Sequence, residues 1–262
     1  MGLKILTSMD SGNTGWATGA AQARQDFVGY SDRAFVFDAM AQGDLFQDRA
    51  GTTPVTDPGQ PVRRIGDRSG QGRDAILMGD ATGVPVWMTD GSHFWVDIPL
   101  DARFEIDNPI RNDDFTLIAG LRLSAVSSGS TYGIVTQDGP SSNSFLALQV
   151  GRVSGNLAVN LDASTGYELT GPAIPLNTDV VVSARRDVAN TVARCRVNGG
   201  GQAENTSFTG LTFADDQTPT ILFGTVAAST AGRLYYMAFV RAVRDEARLE
   251  AVAAERAGLS PA

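Results

Sequence analysis

The chain has 262 residues, and its net charge of −8 and 42% hydrophobic content exclude several classes of protein. This hydrophobic content is enough for a sizeable core and excludes a disordered chain. The acidic balance, without a basic stripe, argues against nucleic acid and anionic membranes as partners. Lys4 is the sole lysine. The arginines suit stacking on sugars or recognition of carboxylates, although a GC-rich coding sequence explains the same bias.

The first 33 residues differ in texture from the rest. Gly, Ala, Ser and Gln dominate residues 11–25, and no strand alternation is sustained there. We predict that residues 1–33 form an arm for docking or oligomerisation, ahead of one domain over residues 34–262. The apolar stretch after Met1 is too short for a secretory signal, so we expect a protein made in the cytoplasm without a signal peptide.

From Ala34 onward the pattern is typical of β-strands. In the clearest strand, 115–123, the odd-numbered residues are apolar and are expected to face the core, whereas Thr116, Gly120 and Arg122 are expected to face solvent. Similar runs separated by turns cover 134–136, 145–150, 157–161, 180–185, 191–197, 220–223 and 234–241. Many strands with short connections predict a sandwich or jelly roll.

The last run has a helical pattern. Asp245 is suited to cap a helix whose apolar stripe contains Leu249, Val252 and Ala253, and Gly258 is suited to end it. The predicted fold class is therefore all-β, with one short C-terminal helix and an N-terminal arm.

Several short pieces, in a fixed order after the arm, carry a resemblance to a known family. They are FD at 37–38, LFQD at 45–48, GTTPV at 51–55, IGDRSGQG at 65–72, Pro85, DFTL at 114–117, VNG at 197–199, ILFG at 221–224 and GRLY at 232–235. Their order resembles the concanavalin A-like or laminin-G-like jelly roll, in the versions found in phage tail fibres and gene-transfer-agent spikes. The resemblance implies a jelly-roll sandwich on a virion or phage-like particle released by lysis, but it does not fix a ligand.

Glu105 and Asp107 come nearest to a catalytic pair. Some glycan hydrolases that share this fold carry Glu-x-Asp-x-x-Glu on one strand face, where alternation brings the carboxylates together. Here the second Glu is missing and Pro109 would disrupt a central strand, so we predict an edge segment without a catalytic role. His93 is the sole histidine, which leaves no triad, and it is interpreted as a turn or rim residue.

No cofactor or metal is predicted, although calcium stays an open alternative. Relatives of this fold sometimes bind calcium through loop carboxylates, but no Asp-x-Asp-x-Asp-Gly loop occurs here. Turn formation explains the acidic loop residues equally well. These residues are Asp138, Asp162, Asp179, Asp215 and Asp216.

Alternation assigns several other conspicuous side chains to the core. Trp87, Trp95 and Cys195 lie in alternating segments and are interpreted as core residues, as is at least one of Tyr235 and Tyr236. Cys195 is the sole cysteine, so an intrachain disulfide is excluded.

Polar loops containing tyrosines form the predicted ligand site. Sugar rings stack on aromatic side chains and need hydrogen-bond partners around their edges. We predict Tyr132 and Tyr167 as stacking platforms, with Gln137, Asp138 and Asn143 as hydrogen-bond partners.

Together these features predict a non-catalytic carbohydrate-binding spike or fibre module of a phage or gene transfer agent. It would attach to a bacterial surface polysaccharide of neutral or weak charge, and its arm would contact other particle proteins. Phage fibres and spikes are commonly trimers, so a homotrimer is expected. A structural particle protein without a ligand and a glycan hydrolase are the alternatives.

Overall fold

The computed structural model describes residues 34–107, 114–126, 131–138, 145–151, 156–162, 167–206, 220–224, 230–242 and 246–260. The predicted arm, residues 1–33, lies outside them. The first strands are β1 (Ala34–Asp38), β2 (Leu45–Phe46), β3 (Arg64–Ile65), β4 (Ala75–Leu77), β5 (Val86–Thr89), β6 (Phe94–Ile98), β7 (Phe104–Ile106) and β8 (Phe115–Val126). The later elements are β9 (Thr131–Asp138), β10 (Phe145–Gly151), β11 (Asn156–Asp162), β12 (Tyr167–Ala173), β13 (Asp179–Asp187), β14 (Val192–Val197), β15 (Gly200–Asn205), β16 (Thr220–Leu222), β17 (Thr230–Val240) and helix α1 (Glu246–Arg256).

The strands form two antiparallel sheets. Sheet A has the order β15-β14-β13-β8-β17-β6-β5, and β1 also pairs with β17. Sheet B has the order β12-β11-β10-β9-β16-β7-β4-β3-β2. Two sheets and one C-terminal helix confirm the predicted all-β sandwich.

The main core lies between the two sheets. Phe35 and Phe37 of β1 stack at 5.1 Å between ring centroids, and Phe35 lies 5.3 Å from Phe239 of β17. Trp87 and Cys195 are both buried in this core, which confirms their interpretation as core residues. Burial raises the pKa of the Cys195 thiol to about 12, so this thiol is protonated at neutral pH.

Helix α1 covers the outer face of sheet A. The predicted solvent face of β8 is therefore wrong for Thr116 and Gly120, which are buried, whereas Arg122 is partly exposed. Ile118 joins Leu249 and Ala253 of α1 in a second apolar cluster. A Cβ on Gly120 would lie 2.7 Å from the carbonyl oxygen of Ala253, so glycine permits the close approach of the helix. No helix in the described part of the chain is long and apolar enough to span a membrane.

Candidate functional site

The structure separates the two predicted tyrosine platforms. Asp138 ends β9 and pairs with Phe145 at the start of β10, and Tyr167 begins β12 opposite Asp162 at the end of β11. Because β10 and β11 are antiparallel, Asp138 and Tyr167 lie at the same end of sheet B. Tyr132 lies near the other end of β9, about 20 Å along the strand. One ligand that contacts both tyrosines would have to run along the sheet.

Gln137 lies within β9 rather than in the predicted loop. Its cross-strand partner is Thr220, which in turn pairs with Ile106, a core residue. Gln137 itself is buried, with 6% of its surface exposed. Asn143 lies outside the described residues, so ligand binding by the five predicted residues stays a prediction.

The outer face of sheet B carries an open groove at the other half of the sheet. Its volume is about 360 Å³. Strands β3, β4 and β7 and the loop after β3 supply its lining, and we call it the sheet B groove. The lining residues are Arg64, Gly72, Arg73, Asp74, Ile76, Glu105 and Asp107.

Strand alternation explains why these side chains point outward. Arg64 pairs with Ile76 across β3 and β4, and Ile76 pairs with Glu105 of β7, so the three lie in one row. The neighbouring residue Ile106 points into the core. The row continues to Ile221 of β16, which is buried, so the open groove ends beyond β7.

The position of β7 corrects one expectation from the sequence. The segment was predicted to lie at a sheet edge, but β7 pairs with β4 on one side and β16 on the other. Pro109 does not disrupt this pairing, because it lies beyond the strand. Glu105 and Asp107 therefore reach the same groove from an interior strand and its C-terminal end.

An aspartate fixes the loop that forms one wall of the groove. Asp67 accepts hydrogen bonds through Oδ1 from the backbone N–H groups of Val36 (2.9 Å) and Ser69 (2.8 Å). Its Oδ2 accepts from the Ser69 hydroxyl (2.7 Å) and the Arg73 N–H (3.1 Å). Its own N–H donates to Asp74 Oδ1 at 2.7 Å. The bonds within residues 67–74 shape the loop, and the bond from Val36 attaches it to β1.

The charged groups of the groove are held in place by protein partners. Arg64 donates through Nε to Asp74 Oδ2 at 2.7 Å and through Nη1 to a backbone carbonyl at 2.8 Å. Arg73 donates to the carbonyl oxygen of Asp107 at 2.7 Å. Glu105 accepts from Arg49 at 3.4 Å and keeps 37% of its side chain exposed. Fixed guanidinium donors and carboxylate acceptors around the apolar Ile76 suit a ligand rich in hydroxyl groups, which both donate and accept.

A second cavity, of about 250 Å³, lies between α1 and the turn after β14. Arg196 donates to both carboxylate oxygens of Glu250, at 3.1 and 2.7 Å, and the Ser183 hydroxyl donates to Glu250 at 2.6 Å. Burial raises the pKa of the nearby Glu246 carboxyl, although the charge of Arg194 opposes this shift. These bonds join the helix to sheet A, so we assign this cavity to helix docking.

Metal ligation has no support in the described residues. They contain no group of three or more His, Cys, Asp or Glu side chains that could hold a metal ion. His93 lies in the turn between β5 and β6, where its N–H donates to Asp90 at 2.8 Å, and this confirms its interpretation as a turn residue. The bonds from His93 and Ser92 lower the pKa of Asp90 to about 2.

Comparison with known proteins shows a likeness of fold. No family model matches the chain, and no curated protein sequence matches it significantly. The CBM40 module of the Ruminococcus gnavus IT-sialidase is 17% identical over 61% of this chain and 96% of the module, with a TM-score of 0.51. The binding domain of botulinum neurotoxin DC, solved in complex with SialylT, is 13% identical over 71% of this chain and 47% of that chain, with a TM-score of 0.50.

A sialidase also shares the fold. Trypanosoma rangeli sialidase is 11% identical over 84% of this chain, with a TM-score of 0.52. The chain spans only 32% of that enzyme's length. At these identities the solved structures show that this chain shares their β-sandwich fold.

Proposed function

We propose that this chain is a non-catalytic carbohydrate-binding module and that the sheet B groove holds a neutral, hydroxyl-rich stretch of polysaccharide. The observation that carries the proposal is the set of fixed donors and acceptors around Ile76. The lining contains two guanidinium groups and three carboxylates, so it has no excess of positive charge to select an anion. Because the wall loop is already hydrogen-bonded, binding would not require ordering it.

The similar solved structures support the ligand class. One is a CBM40 module, and another is a toxin binding domain in complex with SialylT. At these identities the likeness concerns the fold, so the choice of groove rests on the residues of this chain.

We further propose that the module is a spike or fibre component of a phage or gene transfer agent and attaches it to a bacterial surface polysaccharide. Synthesis in the cytoplasm and release by lysis, docking through residues 1–33 and a trimeric state belong to this proposal. Each hydrogen bond to a sugar contributes only about 1 kcal/mol, so one site would be weak. Several copies on one particle would raise avidity by about two to four orders of magnitude.

The test is binding of the full chain to an array of bacterial surface polysaccharides. Glu105→Gln and Asp107→Asn remove groove acceptors and should weaken binding about tenfold, with little change in Tm. Asp57→Asn changes a carboxylate in an exposed loop outside the groove and is the matched control. Loss of binding in Tyr132→Ala or Tyr167→Ala, with the groove variants unaffected, would place the site at the tyrosines. No binding by the wild type would favour a purely structural particle protein.

Glycan hydrolysis is the second candidate, because Glu105 and Asp107 both line the groove. An acid catalyst needs a carboxyl group kept protonated by an apolar environment, whereas Glu105 is partly exposed and paired with Arg49. Release of reducing ends from a bound polysaccharide, abolished by Glu105→Gln, would establish hydrolysis. Binding without such release supports the module.

A further inference from the structure

A row of four charged residues crosses the outer face of sheet A, on the side opposite the sheet B groove. Asp97 of β6 pairs with Arg233 of β17, Arg233 pairs with Arg122 of β8, and Arg122 pairs with Asp179 of β13. Like charges directly opposite one another in a sheet are destabilising, so the two guanidinium groups need anions close by.

Asp179 is hydrogen-bonded to only one of the two arginines, although the charge of Arg233 also lowers the pKa of Asp179. Arg122 donates to both of its carboxylate oxygens, through Nε at 2.8 Å and through Nη2, and the Tyr235 hydroxyl donates to Oδ1 at 2.6 Å. Burial raises the pKa of Asp179, but these bonds outweigh burial and hold that pKa below its ordinary value. Burial also raises the pKa of Tyr235 to about 12, so its hydroxyl is a donor at neutral pH. Asp179 is therefore an ionised carboxylate that is already bonded by Arg122 and Tyr235.

Arg233 has no such partner in the part of the chain that the structure describes. Its guanidinium carbon lies 4.3 Å from the centroid of the Trp95 ring. No described carboxylate, including the exposed Asp97 opposite it, lies within 4.0 Å of its nitrogen atoms. The Trp95 indole N–H is also buried without an acceptor among the described residues. Arg233 also donates to the Tyr235 hydroxyl oxygen. A guanidinium has five N–H donors, so this one bond and the contact with Trp95 leave donors for a ligand and hold the group in place.

We propose that Arg233, held on Trp95, binds the carboxylate of an acidic sugar. A planar fork of N–H donors matches the two oxygens of a carboxylate and forms paired, charge-assisted hydrogen bonds with it. Only one of the two arginines lacks a carboxylate partner, so the site has the charge for a monoanion rather than a phosphate dianion. This site lies on the other sheet from the sheet B groove and does not depend on the groove's proposed function. If both proposals hold, the sheet B groove binds neutral sugar units and the site at Arg233 on sheet A binds acidic ones.

Titration of the full chain with glucuronic acid and with N-acetylneuraminic acid, followed by saturation-transfer NMR, tests this proposal. Glucose is the neutral comparison, and inorganic phosphate is the comparison for a general anion site. We expect both acids to bind, and Arg233→Gln to weaken them about tenfold or more. Arg233→Lys keeps the charge but loses the fork, so it should give an intermediate loss. Asp97→Asn removes a negative charge from the neighbouring strand position and should tighten binding.

Arg63→Gln is the matched control, because it removes the same charge from an exposed arginine outside this row. It should leave acid binding unchanged. The proposal is overturned if neither acid binds, if Arg233→Gln binds them like the wild type, or if phosphate binds as well with the same dependence on Arg233. If Arg233→Gln fails to fold, the other two variants still test the proposal: Arg233→Lys should weaken acid binding and Asp97→Asn should tighten it.

Discussion

Two ion pairs of similar length, one on the outer side of each sheet, show how differently the two faces use charge. On sheet A, Arg256 of α1 lies 3.2 Å from Asp38 of β1, with side chains 5% and 4% exposed. On sheet B, Arg49 lies 3.4 Å from Glu105, with side chains 49% and 37% exposed. A buried charge left without its partner is costly, whereas an exposed pair contributes little. Beneath the helix, charge therefore fixes the helix to sheet A, whereas the sheet B groove keeps charge accessible to a ligand.

The largest effect should come from breaking the buried pair. Arg256→Met leaves the buried Asp38 without its guanidinium partner, and the expected loss is about 3–5 kcal/mol of unfolding free energy. Urea unfolding at neutral pH measures this loss. Adding Asp38→Asn in the same chain should recover part of it, because the uncompensated charge is then gone. A loss below about 1 kcal/mol would show that this pair does not hold the helix.

A smaller effect concerns pH and the buried Glu246 carboxyl. Because burial raises its folded-state pKa above the ordinary value of 4.5, the folded state holds its proton to higher pH than the unfolded state. The stability of the wild type relative to Glu246→Gln should therefore be greatest below pH 4.5 and fall as pH rises through the raised pKa. Unfolding of both proteins across this range isolates the group, since their other carboxyls are the same. A difference that grows with rising pH would contradict the assignment.

The next comparison is between two glycines, only one of which lies against a residue of the sheet B groove. Gly51 has a φ of +76°, and an added Cβ would lie 3.0 Å from Arg64 Nη1, whereas Gly59 has a φ of +86° and open space around it. Both alanine variants should lose about 1–2 kcal/mol through backbone strain. Only Gly51→Ala displaces Arg64, so only it should also weaken polysaccharide binding. Equal binding by the two variants would show that Arg64 does not contribute to the ligand site.

Local patterns predicted the long strands β8 and β17 and the helix, but not every strand and not which faces are covered. The alternation of β8 identified its core face, yet burial of Gly120 depends on a helix more than 120 residues further along the chain. The hairpin after β14 was predictable because Asn198 and Gly199, with φ of 51° and 69°, are residues that favour this turn. The groove was not predictable, because its residues meet only through pairing of β3, β4 and β7. Sequence patterns therefore predicted a site at the tyrosines. They did not predict the charged groove, because the residues that line the groove are far apart in the sequence.

The smallest effect on stability should come from the exposed pair, and it is the most informative about the groove. Arg49→Gln removes a partner from Glu105 in a place where water solvates both charges, so the cost should be about 0.5 kcal/mol or less and Tm nearly unchanged. The bond to Glu105 Oε1 nevertheless orients a groove acceptor. Without it the carboxylate samples more rotamers, and ordering one rotamer on binding costs about 0.5–1.5 kcal/mol. We therefore expect polysaccharide affinity to fall about two- to tenfold, less than or equal to the loss in Glu105→Gln. Calorimetric titration of the wild type and both variants with the polysaccharide checks this order. A lower Tm without a loss of affinity would mean that this ion pair stabilises the fold and does not contribute to ligand binding.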